Sequence, residues 1–428
     1  MTDSTLSSVN EHCLDSVMKL AESTQVSASE DIYDAHGTKL LAKGAAIAPA
    51  MKERLVRHKL RKPLEMSLSV ADGLTAATVL AEAKALLDEV PALKVFMGDK
   101  QAAIFETLSG LSLHPVAALL LTVAEKSREG AFRHGVLVAL ISVSLGAHQR
   151  LPHNVRAILA SAGLLHDIGE LYIQPDFFRT QRPLRPEEWK HVAAHPRIGQ
   201  IVLDELTDYP KTLIDAIAGH HERLDGSGYP RQLAGDRISQ EAQVLSMAEA
   251  LSGIVVRKDD VLIRSCLALK CVPGEHPRSL ISVVSTLRHN YSGEPFPVGA
   301  VEAQSVSKTQ EVVKTLAFAF AECEKISRTA PLSGAGSHLL ERVIGRLDGL
   351  GQALKATGIE VCFENGYLPA FAPEDREIFL EIDVVGHEIS WRLRDIARDL
   401  YLRLENLTPE AAAVFADLIG ILDNPVNA

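Results

Sequence analysis

Seven side chains that could bind a metal recur along the middle of the chain. Five are imidazoles and two are carboxylates: His134, His166, Asp167, His195, His220, His221 and Glu249. This mixed nitrogen and oxygen ligand set suits iron, manganese, nickel or zinc, and is poor for calcium. It is large enough for two such ions that share one carboxylate. Two ions about 3.5–4 Å apart can clamp a phosphoryl group and lower the pKa of a bridging water.

The stretch LLHDIGE, residues 164–170, ends an apolar helical stripe that begins at Val155. His166 and Asp167 directly follow apolar residues, so we expect both side chains to lie inside the protein. A buried carboxylate is unfavourable unless a cation or several donors meet it, and a metal shared with the histidine would do so. The alternative is an ordinary helix C-terminus that Gly169 ends.

The other candidate ligands also have structural explanations when each is taken alone. His134 lies on an apolar helical stripe, where a lone histidine is usually a core residue. His191 and His195 lie one turn apart in a candidate helix, EEWKHVAAHPRIGQIVL, so they either bind one metal or share a solvated face. Glu249 is the only charged residue between 244 and 256. It is therefore a buried ligand, the partner of a buried base, or part of a helix edge.

The stretch HHERLDGSGYP, residues 220–230, places two histidines at the end of a helical pattern and then forms a turn. Glycine and proline are turn residues for backbone reasons, but a turn does not need paired histidines in front of it. We expect the preceding helix to deliver His220 and His221 to a metal site. The turn would then form the rim of that site or a partner surface, through Asp225, Gly226, Gly228, Tyr229 and Pro230.

The elements that must position these residues are mainly helical. From residue 75 onward, apolar residues recur at helical spacing, and helices are predicted to start at Pro186 and at Pro409. Residues 31–46 predict two short strands around a turn at Gly37, with a helical stretch after Pro49. The predicted fold class is mainly α, with a small α+β module at the N-terminus.

We expect three regions along the chain. Residues 1–74 would form the N-terminal module, with a partly disordered start up to about residue 25. Residues 75–290 would form the helical metal-binding domain, with its core at about 115–290, and residues 301–428 a mainly helical C-terminal region with one extended piece near 359–363. The segments 291–300 and 328–337 are rich in proline, glycine or small polar residues and predict loops or linkers.

Composition excludes several classes of protein. The 428-residue chain has a net charge of -11 and a pI near 5.8, which argues against a protein that coats nucleic acid or anionic membrane. Five cysteines without a CxxC pair argue against a disulfide framework or a zinc ribbon. The polar N-terminus is no signal peptide, and the longest apolar runs, 116–121 and 136–141, are too short to cross a bilayer. A cytoplasmic protein is expected.

Three motifs in this order resemble the HD-GYP family of bacterial HD-superfamily phosphohydrolases: HD at 166–167, HPxxG at 195–199 and HHExxDGSGYP at 220–230. The resemblance covers about residues 115–290. It implies an all-helical domain with two or three metals that hydrolyses cyclic di-GMP or a related cyclic dinucleotide, with a metal-bridging hydroxide as nucleophile. It also implies that all seven residues named above are ligands, that His166 and Asp167 are catalytic with Asp167 as the bridge, and that His191 is a bystander.

Three positions depart from the family pattern. The family usually reads HDIGK, but position 170 is Glu170, where the family has a lysine toward the substrate phosphate. We expect this reversed charge to weaken anion binding by about one to a few kcal/mol. Glu249 stands where the family usually has an aspartate. Gly130 stands where three-metal members have a glutamate, and the adjacent Glu129 would point elsewhere, so we expect two metals.

The substrate-binding residues are less complete. Of the arginine-rich element that often follows the final acid, only Arg257 remains as a counterpart. Arg223, within the HHERLDGSGYP stretch, is predicted to add positive charge near the phosphate and to assist catalysis. Glu170, Arg223 and Arg257 are thus the expected substrate-binding positions.

Two functions of different classes fit these observations. The first is a metal-dependent cyclic dinucleotide phosphodiesterase. The second is a catalytically weak or inactive module that senses a nucleotide or regulates partner proteins in cyclic di-GMP signalling. In the second case the GYP turn would contact partners such as GGDEF-domain proteins, and a homodimer could form through the helical C-terminal region.

Overall fold

Helices dominate this computed structural model, which describes residues 8–178, 184–257, 261–291, 303–329, 332, 334–358 and 376–423. Up to residue 165 the helices are α1 (Glu11–Ala21), α2 (Lys52–Arg57), α3 (Ala76–Glu89), α4 (Pro91–Met97), α5 (Gln101–Ser109), α6 (Pro115–Ser127), α7 (Ala131–His148) and α8 (His153–Leu165). Next come α9 (Pro186–Val192), α10 (His195–Leu206), α11 (Lys211–Ala218), α12 (Gln240–Val255), α13 (Val261–Cys271) and α14 (Arg278–Asn290). The last are α15 (Ala303–Thr329), α16 (Ala335–Thr357), α17 (Arg376–Leu404), α18 (Pro409–Ala413) and α19 (Ala416–Asp423). The predicted mainly α fold class is confirmed.

The chain divides into two compact units. The first comprises Met1–Thr180, Val192–Val256 and His276–Leu287, and the second comprises Gln181–His191, Arg257–Glu275 and Arg288–Ala428. The N-terminal strands and all seven candidate ligands belong to the first unit. The three-region division, with boundaries near 74 and 290, stays a prediction.

The N-terminal part of the first unit contains two small antiparallel sheets. Strand β1 (Val26–Ala28) pairs with β4 (Leu68–Val70), and β2 (Ile32–Tyr33) pairs with β3 (Lys39–Leu41). The predicted turn between β2 and β3 is confirmed. Gly37 there has φ +85°, a backbone conformation that favours glycine. Asp34 Oδ1 accepts from the amides of His36 and Thr38 across 2.9 and 2.7 Å.

Helix α1 corrects the prediction of a disordered start. The polar residues on both sides of this helix hide its amphipathic pattern, but Leu14, Val17 and Leu20 are buried. Asn10 caps its start, because Asn10 Oδ1 accepts from the Cys13 amide across 3.0 Å. One amphipathic face and one cap are enough to hold this helix against α6. Residues 1–7 lie outside the described residues.

Helix α7 forms the centre of the first unit and packs against α8 and α12. Its backbone approaches α8 so closely that a Cβ on Gly163 would lie 2.6 Å from Ala139 Cα. By length and composition α7 could cross a membrane, but 78% of this stretch is buried within the protein. The helix is longer than the apolar run at 136–141, from which we predicted a stretch too short to cross a bilayer. Buried core helices can have the same length and composition as membrane-spanning helices.

The predicted single helix over residues 187–203 is two helices, α9 and α10. Helix α9 starts at Pro186 as predicted. It ends at Val192, and α10 begins at His195. The break has a local cause, since Pro196 has no amide proton to donate to the Val192 carbonyl four residues earlier. This break also separates the exposed His191 from the buried His195.

The second unit is helical in its described part and has its own apolar core. That core includes Leu316 of α15, Leu347 of α16, Leu393 of α17 and Leu418 of α19. The predicted helix start at Pro409 is confirmed, because Thr408 Oγ1 accepts from the Ala411 amide across 3.4 Å. The extended piece expected near 359–363 and most of the loop expected at 291–300 lie outside the described residues.

Candidate metal centre

The structure brings the seven candidate ligands together in the first unit. Two lie within helices and five lie at helix ends: His134 on α7, Glu249 on α12, His166 and Asp167 after α8, His195 at the start of α10, and His220 and His221 after α11. The turn after α8 continues as a 3₁₀ helix, Ile168–Tyr172, which packs against α10. Gly169 permits this close approach, since a Cβ there would lie 2.1 Å from the His195 carbonyl oxygen. A helix therefore ends within LLHDIGE, with His166 buried and Asp167 partly buried. A metal shared by these two residues stays a prediction.

Three of these histidines are oriented by the same contact. A helix leaves its last carbonyls without intrahelical donors, and each ring nitrogen Nδ1 lies beside such a carbonyl three residues earlier. The pairs are His166 with Gly163 at 2.8 Å, His195 with Val192 at 2.8 Å, and His220 with Ile217 at 2.6 Å. A carbonyl oxygen can only accept, so Nδ1 carries the proton and donates it. In the neutral ring the Nε2 lone pair is then left for a ligand.

The first cluster consists of Asp167, His195, His220 and His221, with one ligand atom from each inside a group less than 4.8 Å across. His195 Nε2 and His220 Nε2 lie 3.4 and 3.8 Å from Asp167 Oδ1. The two Nε2 atoms lie 3.1 Å from each other. Four ligand atoms this close together could bind a single cation.

The second cluster consists of His134, His166 and Asp167 and meets the same 4.8 Å limit. Glu249 adjoins it, with Oε2 at 3.2 Å from His134 Nε2 and 3.4 Å from His166 Nε2. Asp167 Oδ1 lies 3.4 Å from His195 Nε2 of the first cluster and 3.2 Å from His166 Nε2 of the second, while Asp167 Oδ2 lies 3.7 Å from His134 Nε2. Asp167 therefore belongs to both clusters.

The residues of the centre fit divalent metal ions. His166 Nε2 and Glu249 Oε2 are buried and have no hydrogen-bond partner. Such groups are unfavourable in a protein interior unless something satisfies them. A cation between the imidazoles and carboxylates would satisfy both atoms. The nitrogen-rich donor set favours a transition metal over calcium or magnesium.

Electrostatics within the centre follow from burial and the close charges. Burial opposes ionisation of Asp167 and Glu249, but the adjacent imidazoles outweigh it and hold both pKa values well below their usual range. Burial also opposes protonation of His166, yet the two carboxylates raise its pKa well above normal. Burial and the neighbouring His195 lower the pKa of His220 to about 3. A neutral His220 is ready to bind a metal without losing a proton.

Arg128 is a functional candidate that the sequence did not reveal. It follows α6, and its Nη1 donates to Glu170 Oε2 across 2.6 Å while Nη2 lies 3.4 Å from Asp167 Oδ2. Burial and the Asp167 carboxylate together raise the pKa of Glu170 to about 7, although Arg128 opposes this. The reversed charge at position 170 was the available signal, since a buried acid calls for a cation nearby.

Glu222 stabilises the loop that contains HHERLDGSGYP, and Tyr229 connects this loop to the centre. Glu222 is buried and accepts from the amides of Arg231 and Leu233 across 2.7 and 2.8 Å. The Tyr229 ring stacks on the His221 ring at 4.6 Å. Gly228 is required by space, because a Cβ there would lie 2.3 Å from the His221 carbonyl oxygen. The turn therefore contacts a candidate ligand directly.

The turn residues follow the predicted pattern of backbone bonds. Asp225 Oδ1 accepts from the Ser227 amide across 2.9 Å, and Gly226 has φ +77°. Tyr229 precedes Pro230 at the end of the turn, and its amide donates to the His221 carbonyl across 3.1 Å. The role of this turn as a rim or partner surface stays a prediction.

The remaining predicted site residues lie around this centre or outside it. Arg223 is half-buried, and Arg257 is exposed just past the end of α12. Gly130 has φ +86° at the start of α7, and Glu129 is exposed. The substrate-binding roles of Glu170, Arg223 and Arg257, and the catalytic role of Arg223, stay predictions.

Comparison with known proteins assigns this region to a family. Residues 118–258 match the model of the HD domain. A cyclic di-GMP phosphodiesterase of Pseudomonas aeruginosa is 31% identical over 141 residues, which cover 33% of this chain and 34% of that protein. A 3'3'-cGAMP-specific phosphodiesterase of Vibrio cholerae is 32% identical over 121 residues, 28% of this chain and 26% of that protein.

A cyclic di-GMP phosphodiesterase of Thermotoga maritima is 29% identical over 166 residues, 39% of this chain and 45% of that protein. The chain thus spans less than half the length of each of these relatives. Among solved structures, a HDG"Y"P protein from Bdellovibrio bacteriovorus overlaps 50% of this chain with a TM-score of 0.34 and 20% identity, covering 70% of that chain. Over residues 118–258, the chain is therefore similar to proteins of the HD domain family.

Proposed function

We propose that this protein is a metal-dependent phosphodiesterase that hydrolyses cyclic di-GMP or a related cyclic dinucleotide. The observation that carries the proposal is the position of Asp167, which belongs to both clusters. Its Oδ1 lies near the imidazoles of His166, His195 and His220, and its Oδ2 lies near His134. This arrangement is suited to two cations that share one carboxylate. The names of the HD-domain relatives supply the substrate class.

In the net reaction, the oxygen of water bonds to phosphorus and the bond from phosphorus to one ribose oxygen breaks. That ribose oxygen takes up a proton, so the product is a linear dinucleotide with one terminal phosphate. Two bound divalent ions, which we propose to be iron, manganese, nickel or zinc, would acidify water and neutralise phosphoryl charge. The protein supplies His134, His166 and Glu249 on one side of Asp167, and His195, His220 and His221 on the other.

The hydrogen bonds behind the histidines support this role. The Nδ1 protons of His166, His195 and His220 are committed to backbone carbonyls, so the rings do not need to reorient when a cation binds. Backbone partners of this kind fix the ring orientation and raise the basicity of the ligand nitrogen. Preorganised ligands also keep the charge in place as the phosphoryl group reacts.

A second candidate function is favoured by Glu170. This acid faces the same region as Asp167 and is paired with Arg128, so it adds negative charge where an anionic substrate would bind. A metal-containing module that binds a nucleotide without turnover would tolerate such an acid. GGDEF-domain partners at the GYP turn and a homodimer belong to this second candidate and stay predictions.

The test is metal analysis and hydrolysis on the same preparation. The full chain is purified, its bound metals are quantified, and cyclic di-GMP and 3'3'-cGAMP are followed with manganese or iron present. The phosphodiesterase proposal expects about two ions per chain and a linear dinucleotide product. His166→Ala should lose bound metal. His191→Ala, at an exposed histidine outside the centre, is the matched control and should keep it. Two bound ions without hydrolysis of either nucleotide would contradict the phosphodiesterase proposal and support the second candidate, a module that binds a nucleotide without turnover.

A further inference from the structure

A pocket lies against the second cluster, on the side of Asp167 where Arg128 stands. Its polar side is formed by Arg128, Asp167 and Glu170. Its walls are largely apolar and include Leu171, Ile173 and Phe178. Phe178 ends a second 3₁₀ turn, Pro175–Phe178. A charged side next to the metal centre and an apolar side further away match the two ends of a nucleotide.

Arg128 is held in place from two directions. Glu170 Oε2 accepts from its Nη1 across 2.6 Å, and its guanidinium carbon lies 5.8 Å from the centre of the Phe178 ring. An ion pair and a cation–π contact of this kind orient the guanidinium plane. The side chain is nevertheless 38% exposed, so a ligand can reach it.

The contact between Arg128 and Asp167 is the looser one, at 3.4 Å. Cations bound in the centre would neutralise the charge of Asp167. The attraction between Arg128 Nη2 and that carboxylate would then be weaker. A phosphate bound to the same cations would present a new anionic oxygen at this place. Arginine binds such oxygens with two parallel N–H donors.

We propose that this pocket is the subsite for one purine nucleotide unit of the substrate. Arg128 binds an oxygen of the scissile phosphate, Glu170 is the positioning residue for Arg128, and the base lies against the apolar wall at Phe178. The inference rests on the function proposed above, and it gives Glu170 a use in the active protein. A base packs on an aromatic ring through its π face, so the contact accepts any purine.

The first experiment compares two substrates on the metal-loaded full chain. Cyclic di-GMP carries purine bases, whereas methyl p-nitrophenyl phosphate is a phosphodiester without purine or ribose. Phe178→Ala should raise the ratio of the KM for cyclic di-GMP to the KM for methyl p-nitrophenyl phosphate about tenfold. Phe177→Ala is the matched control, because Phe177 is adjacent in sequence and does not line the pocket. An unchanged ratio in Phe178→Ala would overturn the base subsite.

The second experiment addresses Arg128 and Glu170. Arg128→Gln should lower kcat/KM at least tenfold for both substrates, because both contain the phosphate, and Arg128→Lys should recover only part of it. Glu170→Gln, whose amide oxygen can still accept from Arg128, should retain more activity than Glu170→Ala. Circular dichroism and metal content show whether each variant is folded and loaded. Equal activity of Glu170→Gln and Glu170→Ala, or full activity of Arg128→Gln, contradicts the proposed roles.

Equilibrium binding separates this inference from the function on which it rests. If the metal-loaded protein hydrolyses neither substrate, the Kd for cyclic di-GMP is measured by calorimetry for the same variants. A tenfold weaker Kd in Phe178→Ala and Arg128→Gln, with Phe177→Ala unchanged, keeps the subsite and removes only the catalytic proposal. No binding, or the same Kd in all variants, removes the subsite as well.

Discussion

His195 and His220 face each other with their Nε2 atoms 3.1 Å apart, and each ring donates its Nδ1 proton to a backbone carbonyl. Two lone pairs at this distance repel unless a proton or a metal lies between them. The carboxylate of Asp167 raises the pKa of His195 even though burial opposes this, while burial and His195 lower the pKa of His220 to about 3. Without a metal, a proton on His195 Nε2 can therefore form a hydrogen bond to His220 Nε2, which removes the repulsion between the two lone pairs.

Chelation should destabilise the protein, because removal of metal leaves these buried groups without their cation. A ligand that binds only the folded state stabilises it by about 2.7 kcal/mol at a hundred times its Kd. We expect the thermal midpoint, followed by circular dichroism, to fall when a chelator is added and to recover with manganese or zinc. The shift should be much smaller in His220→Ala. A midpoint indifferent to chelation in the native protein would contradict a buried metal centre.

Asp167 and His134 should have different effects on metal stoichiometry. Asp167→Asn weakens both clusters, so we expect the bound metal to fall from about two ions per chain to well below one. The metal content is measured by elemental mass spectrometry. His134→Ala removes a ligand from the second cluster only, so about one ion should remain. His191→Ala should keep the native value. Loss of one ion in Asp167→Asn would show that the clusters do not share this carboxylate.

Glu222 should matter for stability although it is not a candidate ligand. Its carboxylate accepts from the amides of Arg231 and Leu233, and its carbonyl accepts from Ser246 Oγ across 3.0 Å. Glu222→Ala leaves two amides without an acceptor, and hydrogen bonds to charged groups contribute about 1.5–3 kcal/mol each. We expect a loss of about 3 kcal/mol in unfolding free energy, measured by urea titration. Asp236→Ala, exposed in the same loop, should be nearly neutral.

Glu65 should make stability depend on pH. Burial raises its pKa, and Tyr172 Oη donates to its Oε1 across 2.8 Å. Because the folded protein binds this proton more tightly than the unfolded chain does, Glu65 contributes stability at low pH. That contribution is lost as pH rises from about 4.3, the usual glutamate value, through the raised pKa.

The measurement compares Glu65→Gln with the native protein. Glutamine cannot ionise, and its amide oxygen can still accept from Tyr172. The thermal midpoint of the variant minus that of the native protein should therefore increase between pH 5 and pH 8. Glu53→Gln, at a position that is 82% exposed, should show a constant difference. A Glu65→Gln difference that falls with pH would reverse the sign we assign.

The candidate ligands could be found from sequence because their signals are local. An apolar stripe that runs into a histidine predicts an inward side chain, and this reasoning located His166 and His220 correctly inside the protein. The break between α9 and α10 was also encoded locally, in Pro196, but the helical pattern around it masked the missing amide. His195 needs that break, since the Val192 carbonyl that orients its ring is free only because a proline follows.

The partner of Glu170 could not be found in this way. Arg128 lies 42 residues before it in the sequence, and no periodicity links the two positions. Only the packing of α6 against the 3₁₀ helix Ile168–Tyr172 brings the guanidinium to the acid. Likewise, helix α1 is short and has polar residues on both sides in the sequence, so its apolar pattern does not stand out, and its burial depends on packing against α6.

The shared carboxylate of Asp167 makes the two clusters thermodynamically dependent. A cation in one cluster changes the charge and orientation that Asp167 offers to the other, and coupling between two sites is always reciprocal. Each ion therefore alters the affinity for its neighbour by the same factor. Neither cluster therefore has a single metal affinity of its own, because the affinity of each depends on whether the other is occupied.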